Sequence, residues 1–556
     1  MIAASVRRRG RLGRAWPRIG IGVAAHQRFR SMAIEPNRRE FIRGAGAAAA
    51  ASLIPWREAI AANSPEPGPL GNLEYRSAAQ LVAALADKRV SSVELVDFAI
   101  SRIEANDKSI NAVVVRDFEH ARAAAVAADA ALARGERRPL LGLPMTVKEM
   151  FNIAGLLTTW GDPKFKDWRP SADALAVARL KAAGAVILGK TNVPLDLADW
   201  QSYNEIYGTT KNPWDLARTP GGSSGGAAAA LAADFVPLEL GSDIGGSLRA
   251  PAHYCGVFSH KPSLDLIPQR GAGPPGTPAI PVRGDLAVVG PMARNAADLA
   301  LELDILAGPD ELSEGIGYKL ALQPPRHQDI KSFKVLAIDT HPLYPTAAGV
   351  REALDRLAGR LEQSGTSVAR TGPRVPDLAK TAQVYVQLLA GFYAANLSPE
   401  RYRRAEDAVK SLPEDDESLA AFRLRGITSS HRDWILASRV RSGLRQRWQD
   451  LFKECDVVLC PVMPTPAFPH DHTEDRRKRR LDIDGKQLPY QDQIVWASMA
   501  TLCGLPATVA PIERSAEGLP IGVQILGGYL EDRTTIAFAG MIEREFGGFT
   551  PPPSRL

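Results

Sequence analysis

The chain has 556 residues, 45% of them hydrophobic and 23% charged, with 47 glycines and 42 prolines, the composition of a soluble globular protein with many turns. A net charge of +6 invites a nucleic-acid or membrane reading, but residues 1–61 hold twelve arginines, no lysine and only Glu35, Glu40 and Glu58, a surplus of nine positive charges. Everything after Ala61 therefore carries −3, and no basic surface is expected of the folded body.

The front segment contains NRREFIRGAGAAAAASLIPW, in which Arg38 and Arg39 precede Phe41, Ile42 and a weakly apolar run from Gly44 to Trp56. That run is too short and too alanine-rich to span a hydrocarbon layer of roughly 30 Å. With Ala59-Ile60-Ala61 as a small-residue cleavage site, residues 1–61 resemble a basic extension plus a twin-arginine export signal. The expected location of the mature chain is periplasmic or secreted. Nothing beyond about residue 70 reads as a flexible linker, so residues 62–556 are expected to form one large domain, with a catalytic core at about 140–310 and a C-terminal portion at about 311–556.

SAAQLVAALADKR and SSVELVDFAISRIEAND read as amphipathic helices, the second opened by a capping box of Ser91 and Glu94. INAVVVRD predicts a strand, residues 117–135 an alanine-rich helix, and PLLGLPMTVKEMFNIAG a strand-like run carrying Lys148. In SADALAVARLKAAGAVILGKTN, Ser171 is expected to cap a helix that Gly184 ends before a buried strand. KVLAIDT and GVREALDRLAGRLEQSG repeat the strand–helix alternation, which implies an α/β fold: a large mixed sheet with helices on both faces. Residues 397–432 are charged and mostly helical, and 470–490 form a charged loop whose His470 and His472 make a poor metal site. The final GLPATVAPIERSAEGLPIGVQILGG predicts two strands that close the sheet. Cys255, Cys455, Cys460 and Cys503 form no CxxC and no disulfide-scaffold spacing; Cys455 and Cys460, which bracket DVVL, read as packed thiols, with a disulfide as the alternative in an oxidising compartment.

PGGSSGGAAAA, Pro220 to Ala230, is the first candidate site. A P-loop is excluded because alanines stand where the phosphate-binding lysine belongs. The letters of a nucleophile elbow are present, but the elbow follows a strand, and Arg218-Thr219-Pro220 is not one. Twenty-four residues beyond Ser223, LGSDIGGSLRAP holds a second Gly-Gly-Ser between Asp243 and Arg249. Consecutive N–H groups of Ile244, Gly245, Gly246 and Ser247 can converge on a developing oxyanion, which makes Ser247 the better nucleophile. No histidine stands in a supporting motif, so the candidate base is Lys148, whose pKa burial would lower from about 10.4. Ser223 can stand between Lys148 and Ser247 as a relay hydrogen-bonded to both. Asp243 and Arg249 are expected to pair and fix the turn, with Ser224 hydrogen-bonding locally.

GLPMTVKEM, TPGGSSGGAAAALAADFVPLELGSDIGGSLRAPAHYCGVFSHKPS, DVVLCPVMPTP and GLPIGVQILGG closely resemble the amidase signature family, over nearly all of residues 75–545. The resemblance implies a triad of Ser247 as nucleophile, Ser223 on a cis peptide as relay and Lys148 as base. It implies an amidase that hydrolyses linear carboxamides to an acid and ammonia or an amine through an acyl-enzyme, without metal or organic cofactor. A preferential esterase and an accessory subunit that feeds ammonia to a partner are the alternatives. Partners to expect are a small-molecule amide, the export machinery and, as an option, a second copy in a homodimer; nucleic acid and a stable membrane span are not expected. Three departures from the family pattern stand out: Glu149 for the usual aspartate, Ala227 for a serine, and SHKPSLDLIPQRGAGPPG along one pocket wall. Trp160 and Trp200 are candidates for either the acyl site or the core.

Overall fold

Two reciprocal caps open the folded chain. Ser77 caps the helix Ala78–Ala86 with Gln80 answering, and Ser91 caps Ser92–Ile110 with Glu94, so each helix start satisfies N–H groups that would otherwise lack acceptors. The computed structural model describes residues 71–372 and 374–553. The expected export signal, residues 1–61, lies outside the described residues.

Eleven strands form the main sheet: β1 Val113–Arg116, β2 Pro144–Lys148, β3 Val186–Thr191, β4 Leu238–Asp243, β5 Phe258–Lys261, β6 Val288–Ala293, β7 Lys334–Ala337, β8 Ser367–Ala369, β9 Val457–Pro461, β10 Ala507–Arg514 and β11 Pro520–Leu526. Their spatial order is β1-β3-β2-β4-β6-β5-β10-β11-β9-β7-β8. Pairing is mixed, parallel for β3/β2/β4 and β9/β7/β8 and antiparallel between β4/β6, β5/β10 and β10/β11. The strands read as continuous apolar runs because helices cover both faces. In β9, Val457 and Leu459 join the core on one face while Val458 and Cys460 join the core on the other. The protein is an α/β fold with a large mixed sheet between helical layers.

The helix that follows the paired serines is buried on every side. Gly225–Ala232, GGAAAALA, has no exposed residue, and its small side chains let it lie close against the sheet. The limit is reached at Gly226, where an added Cβ would come within 2.3 Å of the Asn192 nitrogen just after β3. Gly226→Ala is therefore expected to cost about 1–3 kcal/mol through overpacking. A calorimetric midpoint unchanged from the parent would contradict this packing.

Three details differ from the sequence expectation. The helix begins at Leu175 with Ala174 at its cap position, not at Ser171, because the Ala174 and Leu175 amides find tertiary acceptors in the Asn152 and Arg270 carbonyls. The last two strands do not close the sheet; β10 and β11 lie inside it, between β5 and β9. The charged stretch 470–490 contains a hairpin, Arg480–Ile483 with Lys486–Pro489, turned by Asp484 and Gly485 at φ 52° and 80°. That Asp-Gly pair is the ordinary signal for a tight hairpin turn. The four cysteines are free and buried, and no helix among the described residues is long and apolar enough to cross a membrane.

Candidate active site

β2 and β4 run parallel, with Thr146 opposite Glu239 and Val147 opposite Leu240, so both strands finish on the same edge of the sheet. Lys148 ends β2 and Asp243 ends β4; the turn after Asp243 leads into the helix Arg249–Cys255. The serine segment passes across this edge before the buried helix, with a cis peptide between Gly222 and Ser223. Gly222 is required by close approach, since a Cβ there would lie 2.3 Å from the Asp199 carbonyl oxygen.

Lys148 Nζ donates to Ser223 Oγ at 2.6 Å and to Ser242 Oγ at 2.9 Å. Complete burial pushes this lysine down to about 7, against the opposing pull of the Asp243 carboxylate. Ser224 ties the two serine segments together, its N–H donating to the Ser247 carbonyl at 3.1 Å and its hydroxyl to the Ser242 carbonyl at 3.3 Å. Ser223 was expected to bond both partners; the bond from Lys148 is formed, and none joins Ser223 to the Ser247 hydroxyl. Ser242 is a partner of Lys148 that sequence reasoning missed. It stands beside Asp243 in the second motif, LGSDIGGSLRAP.

Arg249 forms a fork on Asp243, with Nε and one terminal nitrogen each 2.9 Å from a carboxylate oxygen. The same guanidinium reaches the Ala497 carbonyl, Thr501 Oγ1 and Gln524 Oε1, so the pair has partners throughout. Burial would raise the Asp243 carboxyl, but Arg249 overrides it and, helped by Lys261 and the Gly246 amide, holds it down to about 2. Removing one member of such a pair leaves an uncompensated buried charge at a cost of about 3–5 kcal/mol. Arg249→Met should lower the unfolding midpoint in urea accordingly; a loss below 1 kcal/mol by the same measurement would show that the pair does not anchor the turn.

The turn corrects the expectation of four oxyanion donors. Asp243 accepts from Gly246 N–H at 2.9 Å and from Leu248 N–H at 3.1 Å, which removes Gly246 from the set. The carbonyls of Ile244, Gly245, Gly246 and Ser247 are bound by Tyr385 Oη, Trp200 Nε1, Ala250 N and Ser224 N respectively. Among the described residues the N–H groups of Ile244, Gly245 and Ser247 have no protein acceptor. A peptide unit held by its carbonyl on one side points its N–H to the other, so the bonds to the Ile244 and Gly246 carbonyls orient the free N–H groups of Gly245 and Ser247.

The surrounding side chains fix the frame. Glu149 is buried and accepts from the Thr159 and Trp160 amides at 2.5 and 3.0 Å and from Tyr207 Oη at 3.2 Å. Burial raises its carboxyl, with Lys190 opposing. Trp160 packs against the core and donates to the Met150 carbonyl, whereas Trp200 reaches the turn itself. Asp199, just before Trp200, is gripped by buried Arg479 at 2.6 Å and by Tyr490 Oη at 2.7 Å, which ties the 470–490 segment to the site. His472 stacks on Tyr203, and among the described residues no three metal-ligating side chains converge.

A buried lysine, paired serines and a turn of free amides meet at one edge of the α/β sheet. The Amidase family profile matches residues 94–536, and the chain belongs to that family. It is an amidase signature enzyme, a hydrolase acting on C–N bonds. It is 33% identical over 491 residues to a glutamyl-tRNA(Gln) amidotransferase subunit from Anaeromyxobacter sp. (strain K), covering 85% of this chain and 96% of that protein. It is 35% identical over 490 residues to a Mycobacterium tuberculosis (strain ATCC 25618 / H37Rv) protein named as an amidase, AmiB2, again covering 85% and 96%. A solved structure from a complex bearing on the origins of an s-triazine catabolic enzyme superposes with a TM-score of 0.71 at 30% identity, over 85% of this chain and 99% of that one.

Proposed function

We propose that the protein hydrolyses linear carboxamides of small molecules through a seryl acyl-enzyme, with Ser247 as nucleophile, Ser223 as relay and Lys148 as base. The observation that carries this reading is the 2.6 Å contact between a fully buried lysine and Ser223, beside a turn of free amides ending in Ser247. Neutral Lys148 accepts the Ser223 proton as Ser223 accepts that of Ser247, whose oxygen attacks the amide carbon. The N–H groups of Ile244, Gly245 and Ser247 stabilise the oxyanion. The relayed proton passes to the nitrogen as the C–N bond breaks, and water then attacks the ester carbon to release the acid and restore Ser247.

A second reading is supported by the relatives named as amidotransferase subunits: a protein that releases ammonia for use within an assembly. The arginine pair and apolar run of residues 38–56 support export instead, and with it a free-standing hydrolase in the periplasm or outside the cell. An esterase preference is the remaining variant of the same mechanism. Matched amides and esters of several acyl sizes, assayed on the isolated protein with hydroxylamine as a competing nucleophile, test the proposal. Carboxylate and hydroxamate are expected in a ratio that does not depend on the leaving group, because one acyl-enzyme partitions between water and hydroxylamine. A ratio that changes with the leaving group would exclude a common intermediate. Turnover of esters alone would select the esterase reading.

A further inference from the structure

Tyr385 lies in the helix Leu378–Ala394, 138 residues beyond Ser247, and belongs to none of the motifs. Its side chain is fully buried, and its hydroxyl donates to the Ile244 carbonyl at 2.5 Å. The Ile244 carbonyl and the Gly245 N–H share one planar trans peptide and point in opposite directions. The Tyr385 hydroxyl thus holds the back of the unit whose front is the free Gly245 N–H. Among the described residues Tyr385 Oη is the only hydrogen-bond donor to that carbonyl, and an added Cβ on Gly245 would meet its first neighbour, the same oxygen, at 3.6 Å. The neighbouring units have other anchors, Trp200 behind Gly246 N–H and the first turn of Arg249–Cys255 behind Ser247 N–H.

We propose that Tyr385 is a positioning residue that aims the Gly245 N–H at the substrate's carbonyl oxygen. The proposal rests on the acyl-enzyme reading above. Its chemical content is specific: a glycine peptide without the hydroxyl behind it can rotate, and its donor leaves the position where charge develops. Oxyanion donors act on the transition state and not on ground-state binding. Loss of the hydroxyl therefore changes kcat and spares KM. Burial raises the phenol well above its ordinary range, so the group remains a donor across the working pH.

The test is Tyr385→Phe, which removes one oxygen and keeps the ring. The expected result is a kcat lower by about 10- to 100-fold, a KM within about twofold, and an equal weakening of a trifluoromethyl ketone that forms a tetrahedral adduct. A merely structural tyrosine would lower the thermal midpoint and leave kcat alone, and a substrate-contacting one would raise KM; either result overturns the proposal. Should the Phe variant be unstable, Tyr385→His and Tyr385→Leu separate donor from volume, and equal kcat losses in the two would overturn it as well. Fluorophosphonate labelling distinguishes the two levels. Parent and Tyr385→Phe proteins labelled at one rate would end the positioning role and leave the acyl-enzyme standing, whereas a folded parent that is never labelled brings down both.

Discussion

Ser247→Ala is expected to abolish amide turnover, lowering kcat by about 10⁴-fold or more, while the protein keeps its fold and its affinity for substrate. The backbone at this position does separate work, its carbonyl accepting from Ser224 N–H at 3.1 Å, and alanine preserves that bond. The loss should fall on kcat because only the attacking oxygen is gone. The same substitution at Ser224, whose hydroxyl reaches only the Ser242 carbonyl and amide, is expected to cost far less. Kinetics on one amide with urea titrations alongside separate these outcomes. Equal losses at positions 224 and 247 would contradict the assignment.

The second large effect is at Lys148. Lys148→Met fills the same space without a titratable group and should reduce amide acylation by about 10³-fold. A smaller loss is expected on an activated ester, whose leaving group needs no proton. In the parent protein the neutral lysine is the active form. With burial holding its pKa at about 7, kcat/KM should rise about tenfold per unit of pH below that value and level off above it. The sign for stability follows from the same shift. The folded chain releases this proton near 7 and the unfolded chain near 10.5, so the unfolded state binds the extra proton between them. Stability contributed through Lys148 therefore increases as pH rises from about 7 to 10.5. A rate profile with no inflection between pH 6 and 8 would remove Lys148 as the base.

Much of this site was legible in the residues, for identifiable reasons. Lys148, Ser223, Asp243 and Arg249 lie in short glycine-rich or strand-end segments whose local chemistry is peculiar, and the family pattern fixes their order. Tyr385 and Ser242 were not legible. Tyr385 acts on a carbonyl 141 positions away through a helix face that reads as ordinary core, and nothing in an amphipathic pattern distinguishes a buried phenol that packs from one that donates. The four-donor turn was over-counted because consecutive amides look equivalent in a sequence, while the Asp243 carboxylate takes one of them. At the level of the fold, alternation of strands and helices gave the class but not the order, which depends on long-range pairing. The terminal strands β10 and β11 thus entered the middle of the sheet. The hairpin at 480–489 was missed for another reason: its Asp484-Gly485 turn was present, but the charged residues around it masked the two-residue period.

Residues 220–230 hold two serines between glycines, and the central claim is that neither attacks. A fluorophosphonate reacted with the folded protein, followed by mass spectrometry of its peptides, decides the matter. The adduct is expected on Ser247 alone, and it should be suppressed at neutral pH in Lys148→Met. An adduct on Ser223 or Ser224, with Ser247 unmodified, would contradict the account.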